Sequence, residues 1–307
     1  MSKLKILVTG ASGLVGSRFI EKYSDKFNFV TPEYPQFDLT NKEQVSQLLE
    51  KENPDWIVNF AAFTDVNASE AQSGDETGPA WQVNVEGTKN LSDSFKSKNF
   101  IQISTDMVFP GDLSQPGPYE EPETPPDSSE KLTWYGWTKN RAEKIVRDNG
   151  GTILRIIYPV RVKFEPKPDY IRGALKKYAD GKMYPLFRDQ QICIAFIDEI
   201  AEALDRIIET GSHGVFHCSS DTTTPYELIT FVIDHLGADS SVIKSISVHE
   251  FLKTQTNPNR YPVWGGLKTK ITEETLDLHF STWQTVVEKL LAQGLSLPTG
   301  RQDLPKT

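Results

Sequence analysis

Residues 6–16 of the chain read Ile-Leu-Val-Thr-Gly-Ala-Ser-Gly-Leu-Val-Gly, an apolar run that leads directly into a glycine-rich turn. A short apolar run bounded by glycine is typical of a strand buried in a parallel sheet. From Leu14 to Tyr23 the apolar residues recur at helical spacing. This stretch therefore predicts a buried strand, a tight turn and the start of a helix.

The glycines of the turn are expected to have separate roles. Gly10 forms the tight turn, Gly13 lets the backbone approach a pyrophosphate, and Gly16 lets the helix pack closely on the strand. The start of the helix supplies N–H donors and a partial positive charge to phosphates. An isolated match of this kind is as often a purely structural turn.

The surrounding sequence favours a dinucleotide over a nucleoside triphosphate as the ligand of this turn. No Gly-Lys-Ser/Thr sequence follows it, which excludes a P-loop. The residues predicted to contact the dinucleotide here are Gly10, Ser12, Gly13, Leu14, Val15 and Gly16.

The rest of the chain alternates between short apolar runs and helical patterns. Strands are predicted at residues 28–30, 56–60, 100–104 and 152–156, and helices at 40–49, 81–95 and 134–146. Residues 194–197 and 215–218 are expected to return to the same sheet. Strands separated by helices indicate crossover connections. The predicted fold is α/β, a Rossmann-type doubly wound parallel sheet with a smaller carboxyl-terminal substrate-binding lobe.

The character of the sequence changes after Tyr158, which predicts two units. Residues 1–158 with 192–218 are expected to form the dinucleotide-binding domain, and residues 159–191 with 219–300 the substrate-binding lobe. Residues 161–188 carry an excess of basic side chains that, together with Arg260, suits a diphosphate, because arginine forms bidentate hydrogen bonds. A solvated helix face explains the same charges equally well.

Further residues are expected to complete the cofactor site. Glu33 lies just beyond the second predicted strand, where an acid can bind a ribose 2′-hydroxyl and repel a 2′-phosphate. This favours NAD(H) over NADP(H), and a solvated loop carboxylate is the alternative. Asp38 and Leu39 resemble a pair that contacts adenine. Ala61 and Ala62 either leave room for the cofactor at a strand end or pack the sheet against a helix.

Tyr135 and Lys139, four residues apart, form the predicted catalytic pair and share one face of a helix. A tyrosine with a pKa of about 10 is a poor proton donor or acceptor at neutral pH, and a nearby ammonium lowers that pKa. Thr105, at a strand end, is expected to hydrogen-bond the substrate oxygen. The three predict reduction of a carbonyl group, with hydride from a nicotinamide and the proton from Tyr135. A tyrosine–lysine pair alone would more often be an exposed helix pair.

The overall composition excludes several classes of protein. A formal net charge of −9 and an isoelectric point near 5.2 argue against a sequence-independent nucleic-acid grip, which needs a basic face. No apolar run approaches the roughly 18 residues of a membrane span. Cys193 and Cys218 are far apart and lack metal-ligand spacing, so we predict no metal site and a cytoplasmic protein with reduced thiols.

Five segments match motifs of one known family. Residues 103–109 read Ile-Ser-Thr-Asp-Met-Val-Phe, residues 135–139 read Tyr-Gly-Trp-Thr-Lys, and the other segments are residues 6–13, 59–64 and 83–88. Over nearly its whole length the chain resembles an extended short-chain dehydrogenase/reductase, of the dTDP-4-dehydrorhamnose reductase branch. The resemblance implies NAD(P)H-dependent reduction of a nucleotide-linked 4-keto-6-deoxy sugar, and a homodimer.

The resemblance also implies roles for individual residues. Thr105, Tyr135 and Lys139 are the implied catalytic set, and the tyrosine and lysine also contact the cofactor. Thr64 and Asn84 are placed beside the cofactor, and an amide that packs helices is the alternative for Asn84. The residues implied for the substrate are Thr105, Asp106, Met107, Tyr158 and Arg260.

The chain departs from the family pattern on the substrate side. Met107 stands where the family usually has tyrosine, and residues 154–158 read Leu-Arg-Ile-Ile-Tyr instead of Leu-Arg-Thr-Ser-Trp. Residues 189–195 lack the glycine and the proline of the usual Asp-Gln-x-Gly-x-Pro-Thr. Fold and chemistry are therefore better specified by the sequence than the substrate.

Two alternatives to a reductase stay open. A sugar-nucleotide 4-epimerase or dehydratase on the same scaffold would keep NAD bound, although a dehydratase normally has Thr-Asp-Glu where residues 105–107 read Thr-Asp-Met. A non-catalytic regulatory subunit, resembling the partner of methionine adenosyltransferase, would bind the cofactor without turnover. The complete catalytic set argues against the regulatory subunit.

Overall fold

The computed structural model describes residues 3–298. Its strands are Lys5–Thr9 (β1), Asn28–Val30 (β2), Trp56–Asn59 (β3), Phe100–Thr105 (β4), Thr152–Ile156 (β5), Pro159–Val160 (β6), Leu186–Phe187 (β7), Ala195–Phe196 (β8), Val215–Cys218 (β9) and Ser245–Ile246 (β10). Six of them form a parallel sheet in the order β2-β1-β3-β4-β5-β9. The predicted α/β fold with a parallel central sheet is thereby confirmed.

Twelve α-helices connect or cover these strands in the described part of the chain. They are Leu14–Tyr23 (α1), Lys42–Glu52 (α2), Val66–Glu70 (α3), Pro79–Trp81 (α4), Gly87–Phe95 (α5), Trp134–Asp148 (α6), Tyr170–Ala179 (α7), Ile197–Thr210 (α8), Pro225–His235 (α9), Val248–Leu252 (α10), Lys270–Leu276 (α11) and Trp283–Ala292 (α12).

The two faces of the sheet are covered by different helices. Successive side chains of a strand point to opposite faces, and β1 shows this directly. Ile6 and Val8 belong to the apolar cluster that includes Phe19 of α1 and Leu204 of α8. Leu7 belongs to the cluster formed with α2, α5 and α6. The sheet is therefore doubly wound, with every strand of its centre buried on both sides.

The strand order places a binding edge at the glycine turn. β2 lies on one side of β1 and β3 on the other, so the connections reverse direction beside β1. Ligands of open parallel sheets bind at the carboxyl ends of the strands at such a point. Thr9 ends β1, and the glycine turn follows it.

A second apolar core lies outside the six-stranded sheet. It draws side chains from α7, α9 and α12, beside the two small parallel pairs β6–β8 and β7–β10. The prediction that residues 194–197 return to the main sheet is wrong, because β8 pairs with β6 and β9 occupies the position beside β5. The prediction for residues 215–218 is confirmed by that pairing.

The helix predicted over residues 81–95 is interrupted. The short α4 is followed by a π-helical turn at Gln82–Glu86, and α5 begins at Gly87. Such turns are rare and occur frequently at functional sites. This one carries the buried side chain of Asn84.

Candidate active site

The glycine turn is shaped by two close backbone approaches. Gly10 has a φ of +65°, and a Cβ atom there would lie 2.7 Å from the backbone nitrogen of Ala61. A Cβ atom on Gly16 would lie 2.6 Å from the carbonyl oxygen of Gly10. Both contacts exclude any larger residue. They hold the start of α1 against the ends of β1 and β3.

The amino end of α1 is open to an anion. Gly13 is its N-cap residue, and the cap has no side-chain hydrogen bond. Ser12 and Gly13 are exposed, whereas Leu14 and Val15 are half-buried. The first N–H groups of a helix have no hydrogen-bond acceptor within the helix, and the N-cap residue provides no side-chain acceptor here. This end of α1 therefore fits the diphosphate of a dinucleotide.

The three residues predicted on the adenosine side have different surroundings. Glu33 is exposed in the loop after β2. The Asp38 carboxylate accepts hydrogen bonds from the backbone and the hydroxyl of Thr40, over 2.9 and 2.8 Å. The side chain of Leu39 occupies the space that a Cβ atom on Gly87 would take, at 1.8 Å. Asp38 and Leu39 thus hold the local fold, while Glu33 leaves a carboxylate free for a ligand.

The segment after β3 is tied to α6 through Asn84. The Asn84 Oδ1 accepts from the N–H of Phe63 over 2.7 Å, and its Nδ2 donates to the hydroxyl of Thr138 over 2.9 Å. Ala61 and Ala62 are half-buried and Thr64 is exposed on the same segment. The contacts of Asn84 are those of an amide that fixes this segment, and its contact with a cofactor stays a prediction.

The amino end of α6 is docked onto the end of β4. Gly136 has so little room that a Cβ atom there would lie 2.1 Å from the carbonyl oxygen of Met107. Thr133 caps the helix by accepting a hydrogen bond from the Gly136 N–H over 3.0 Å. Thr105 ends β4, and its hydroxyl caps the short turn that contains Met107. This docking brings Tyr135, beside Gly136, to the edge of the sheet where Thr105 lies.

Lys139 follows one helical turn further along α6 and is 4% exposed. Its Nζ donates a hydrogen bond to the carbonyl oxygen of Ile103 in β4, over 2.7 Å. Burial lowers the pKa of Lys139 to about 8, and the negative charge of Glu143 opposes this shift. The ammonium is therefore fixed to the strand that ends in Thr105, and its pKa lies close to neutral pH.

The carboxylate of Asp106 lies beside Thr105 and acts on Tyr135. It accepts a hydrogen bond from the Thr105 hydroxyl over 3.1 Å. Burial raises the pKa of Asp106 to about 6, against the hydrogen bonds from Thr105 and from the N–H groups of Gly266 and Met107, which lower it. A carboxylate that titrates near neutral pH thus stands at the strand end.

The electrostatics of Tyr135 differ from the prediction. Burial raises the pKa of Tyr135, and the negative charge of Asp106 raises it further. The sequence predicts the opposite, a pKa lowered by the ammonium of Lys139. The difference arises chiefly because the phenol is buried, and in addition it faces the carboxylate of Asp106 while the ammonium of Lys139 is bonded to Ile103.

Among the residues predicted for the substrate, Tyr158 lies between β5 and β6. Tyr158 follows β5 with a φ of +37°, and its ring centroid lies 4.7 Å from that of Tyr170. A bulky residue in the left-handed region is strained, and such strain clusters at functional sites. Partial burial raises the pKa of Tyr158, while the charges of Asp106 and Arg260 act on it in opposite directions. Asp106 and Arg260 are therefore each within electrostatic reach of Tyr158.

The basic stretch at residues 161–188 divides into paired and unpaired side chains. Arg161 donates to the carbonyl oxygen of Leu14 over 3.2 Å and pairs with Glu21 at 3.1 Å. Arg172 pairs with Asp169 at 2.7 Å. The exposed basic residues of the stretch are Lys163, Lys167, Lys176, Lys177, Lys182 and Arg188. Arg161 and Arg172 are half-buried and hold the fold, and the exposed side chains are the ones available to a phosphate.

The sequence analysis did not identify two buried polar pairs beside the site. Asn59 of β3 donates to the side-chain oxygen of Gln102 in β4, over 2.7 Å. Glu143 of α6 accepts two hydrogen bonds from Arg155 of β5, over 2.9 and 2.7 Å. Their signal in the sequence is the interruption of apolar strands by Gln102 and Arg155. A charged residue in a strand predicted to be buried requires a partner, and Glu143 provides it.

Within residues 3–298, no group of His, Cys, Asp and Glu side chains is arranged to hold a metal ion. No helix of this part of the chain is long and apolar enough to cross a membrane. Cys193 and Cys218 are buried, and both are free thiols.

The sequence matches one family model over almost its full length. The model, described as the RmlD substrate binding domain, matches residues 4–296. The chain is 28% identical over 269 residues to the probable low-salt glycan biosynthesis reductase Agl14 of Haloferax volcanii, which covers 82% of this chain and 87% of that protein. It is 23% identical over 302 residues to the dTDP-4-dehydrorhamnose reductase of Aggregatibacter actinomycetemcomitans, covering 94% and 98%.

A solved structure shares the fold. The dTDP-4-dehydrorhamnose reductase of Bacillus anthracis, in complex with NADP, superimposes with a TM-score of 0.81 at 21% identity. The match covers 95% of this chain and 100% of that one.

Proposed function

The chain belongs to the RmlD substrate-binding domain family, and on that premise we propose that it reduces the C4 ketone of a nucleotide-linked 6-deoxy sugar with NADH or NADPH. The observation that carries the proposal is the docking of Gly136 on Met107, which brings Tyr135 and Lys139 of α6 to the edge where β4 ends in Thr105. Relatives named as sugar-nucleotide and glycan reductases support the same reaction.

The residues at the glycine turn fit a dinucleotide. The open amino end of α1 would hold the diphosphate, and the close approach of Gly10 to Ala61 excludes a side chain at that point of the turn. A bound nicotinamide dinucleotide would supply the hydride. The remaining steps belong to side chains of the chain itself.

Tyr135 would donate the proton to the ketone oxygen. Because burial and Asp106 raise its pKa, the phenol stays protonated at neutral pH, which is the form that reduction requires. Thr105 would hydrogen-bond the same oxygen and orient the ketone. The positive charge of Lys139, on the same helix face, would stabilise the phenolate that remains after proton transfer.

The substrate would lie on the side of the site where the sequence departs from the family pattern. Asp106, Met107, Tyr158 and Arg260 are the proposed contacts, and the exposed basic residues after Tyr158 would attract the diphosphate of the nucleotide. Met107 brings no carboxylate next to Asp106. A dehydratase needs such an acid–base pair, so this position supports a reductase.

Cofactor preference depends on Glu33. Its exposed carboxylate after β2 supports a preference for NADH, because it would repel the 2′-phosphate of NADPH. The structural relative from Bacillus anthracis carries NADP. A comparison of kcat/KM for the two cofactors decides between them.

We further propose a homodimer in the cytoplasm. The family resemblance supports the dimer, and the two free cysteines support a reducing compartment. We also propose that residues 1–158 with 192–218 bind the dinucleotide, and that residues 159–191 with 219–300 form the substrate lobe. Two separate apolar cores support that division, although Ile192, Ile194 and Phe196 pack in the core of the lobe. Light scattering gives the mass of the assembly.

The function is tested by supplying the pure protein with NADH or NADPH and a panel of dTDP-4-keto-6-deoxy sugars. A reductase consumes one cofactor molecule for each sugar reduced, measured by nicotinamide absorbance and by chromatography of the product. In a parallel assay with dTDP-glucose, whose C4 carries a hydroxyl group, an epimerase or dehydratase would convert the sugar without net consumption of cofactor. A regulatory subunit would bind cofactor and convert nothing.

A further inference from the structure

Three ionisable residues follow one another along the buried side of α6. Tyr135, Lys139 and Glu143 are spaced four residues apart, which places them on one face of the helix. Lys139 is 4% exposed and Glu143 is 0% exposed. The proposed reaction uses Tyr135 and Lys139, and it leaves the buried carboxylate of Glu143 without a role.

The carboxylate of Glu143 is held in one orientation by Arg155. The Nε of Arg155 donates to one carboxylate oxygen over 2.9 Å and its Nη2 to the other over 2.7 Å, and both side chains are fully buried. Arg155 is fixed in turn, because its guanidinium lies 4.8 Å from the Phe109 ring centroid and 3.3 Å from Nε2 of His217. This arrangement leaves Glu143 little freedom to move.

His217 completes the cluster as a neutral acceptor. Its Nδ1 lies 2.8 Å from the carbonyl oxygen of Lys268, so this nitrogen carries the proton and Nε2 accepts from Arg155. Burial and the neighbouring charge of Arg155 lower the pKa of His217 to about 3. The cluster therefore pairs the carboxylate of Glu143 with the guanidinium of Arg155, and His217 adds no charge to it.

The stability of the fold does not explain why this ion pair is buried. Burying two charges costs several kcal/mol of desolvation, and well-packed apolar side chains often serve a fold equally well. The position of the pair is informative instead. Arg155 stands opposite Ser104 in the register of β4 and β5, and the preceding residue, Ile103, provides the carbonyl that binds Lys139. The Glu143–Arg155 pair thus lies next to the segment of β4 that binds the Lys139 ammonium.

We propose that Glu143 is a positioning residue whose carboxylate keeps the buried Lys139 side chain in its ammonium form, and that Arg155 fixes this carboxylate one helical turn from Lys139. A buried amine loses its proton readily unless a negative charge is near. The inference rests on the proposed function only because that function assigns a role to the Lys139 ammonium. The protonation of Lys139 itself can be measured without any substrate.

Other charges around α6 are directed elsewhere. The elements packed against α6 carry the ionisable residues Glu70, Glu86, Lys89, Asp93, Asp106 and Arg155. Besides Lys139, the helix itself carries Tyr135, Arg141, Glu143, Lys144, Arg147 and Asp148. Glu70 accepts from the backbone of Trp134, and Lys89 pairs with Asp93 at the surface. Asp106 acts on Tyr135. The negative charge that acts on Lys139 is that of Glu143.

The test is a titration of Lys139 by NMR in protein carrying 13C at the lysine ε-carbons. The Lys139 resonance is assigned by its loss in Lys139→Met. Because Glu143→Gln alone leaves the Arg155 charge buried and unpaired and can prevent folding, the main variant is the paired neutral form Glu143→Gln/Arg155→Met. Circular dichroism verifies that it is folded. Glu143→Asp, which keeps the charge, serves as a second variant.

The expected result is a Lys139 midpoint lower by about one pH unit in the paired neutral variant, and a smaller change in Glu143→Asp. The matched control is Lys144→Met/Asp148→Asn, which removes an exposed pair from the same helix, and its Lys139 midpoint should not move. A midpoint unchanged in both Glu143 variants overturns the inference.

Activity gives a separate readout. A midpoint lowered from about 8 to about 7 predicts a kcat/KM about fivefold lower at pH 8 and nearly unchanged at pH 6 in the paired neutral variant. If no sugar nucleotide is reduced but the Lys139 midpoint falls, the proposed function fails and the inference stands. If reduction is found and the midpoint is unmoved, the inference alone fails.

Discussion

The ammonium of Lys139 and the side-chain amide of Gln102 donate to the same oxygen, the carbonyl of Ile103, over 2.7 and 2.9 Å. The amide oxygen of Gln102 accepts from Asn59 over 2.7 Å, and Asn59 accepts in turn from the hydroxyl of Thr9. All of these side chains are buried. A fixed polar chain therefore joins Lys139 to the strand that leads into the glycine turn.

Replacing Gln102 should weaken the fold. Gln102→Leu leaves the buried amide of Asn59 without its shortest acceptor, so the free energy of unfolding should fall by about 1–3 kcal/mol. Urea denaturation at equilibrium measures it. Gln47→Leu removes an exposed amide that bonds Glu43 and should change stability little. Equal stability of Gln102→Leu and the native chain would refute a role for this polar chain.

The docking of α6 should tolerate no side chain at Gly136. In Gly136→Ala the methyl group meets the Met107 carbonyl, and the helix must move away from Thr105. We expect kcat/KM to fall by at least about a hundredfold, because a shift of about 1 Å in a catalytic group has that cost. In α7, Gly173 has open space around its Cα. Gly173→Ala should therefore leave activity intact, and a fully active Gly136→Ala would contradict the docking.

Asp106 should make stability depend on pH. Its folded pKa of about 6 lies above the ordinary value, so its stabilising contribution is present at low pH and is lost as pH rises through 6. Asp106→Asn removes the loss of stability that ionisation of the carboxyl group causes. The variant should gain stability relative to the native chain, by on the order of 2 kcal/mol, between about pH 4 and pH 7. Urea denaturation at the two pH values tests this, and a difference that does not grow with pH would be evidence against a buried Asp106 carboxylate.

Glu33 should control the choice of cofactor. Glu33→Gln removes the charge expected to repel a 2′-phosphate, so the ratio of kcat/KM for NADPH to that for NADH should rise about fivefold, which corresponds to roughly 1 kcal/mol. Glu43→Gln, another exposed acid, is the control. A ratio that changes equally in both variants would show that Glu33 does not face the ribose.

Much of the fold was predictable because local patterns and tertiary structure agree. The apolar run before Gly10 could be buried only as a strand of a parallel sheet, and β1 occupies that place. Residues 194–197 carry the same kind of pattern and yet pair with Pro159–Val160. An apolar run specifies that a strand is buried, and it does not specify which neighbouring strand it joins.

The site was predictable in its residues and less so in its electrostatics. The spacing of Tyr135 and Lys139 indicates a shared helix face, but the pKa of each depends on burial, and that of Tyr135 depends also on Asp106, which is distant in sequence. Burial, together with the negative charge of Asp106, reverses the expected shift of the Tyr135 pKa. Glu143 and Arg155 meet across twelve residues of sequence, so their pairing emerges only when α6 lies on β5.

The central claim is that hydride passes from a nicotinamide to C4 of a sugar nucleotide while Tyr135 supplies the proton. The most direct measurement uses NADH or NADPH deuterated at the transferred position of C4 of the nicotinamide, a dTDP-4-keto-6-deoxy sugar, and NMR of the product. The account predicts deuterium at C4 of the sugar with the native chain, and a rate lower by about a hundredfold or more with Tyr135→Phe. Product without deuterium at C4, or a Tyr135→Phe variant as fast as the native chain, would contradict it.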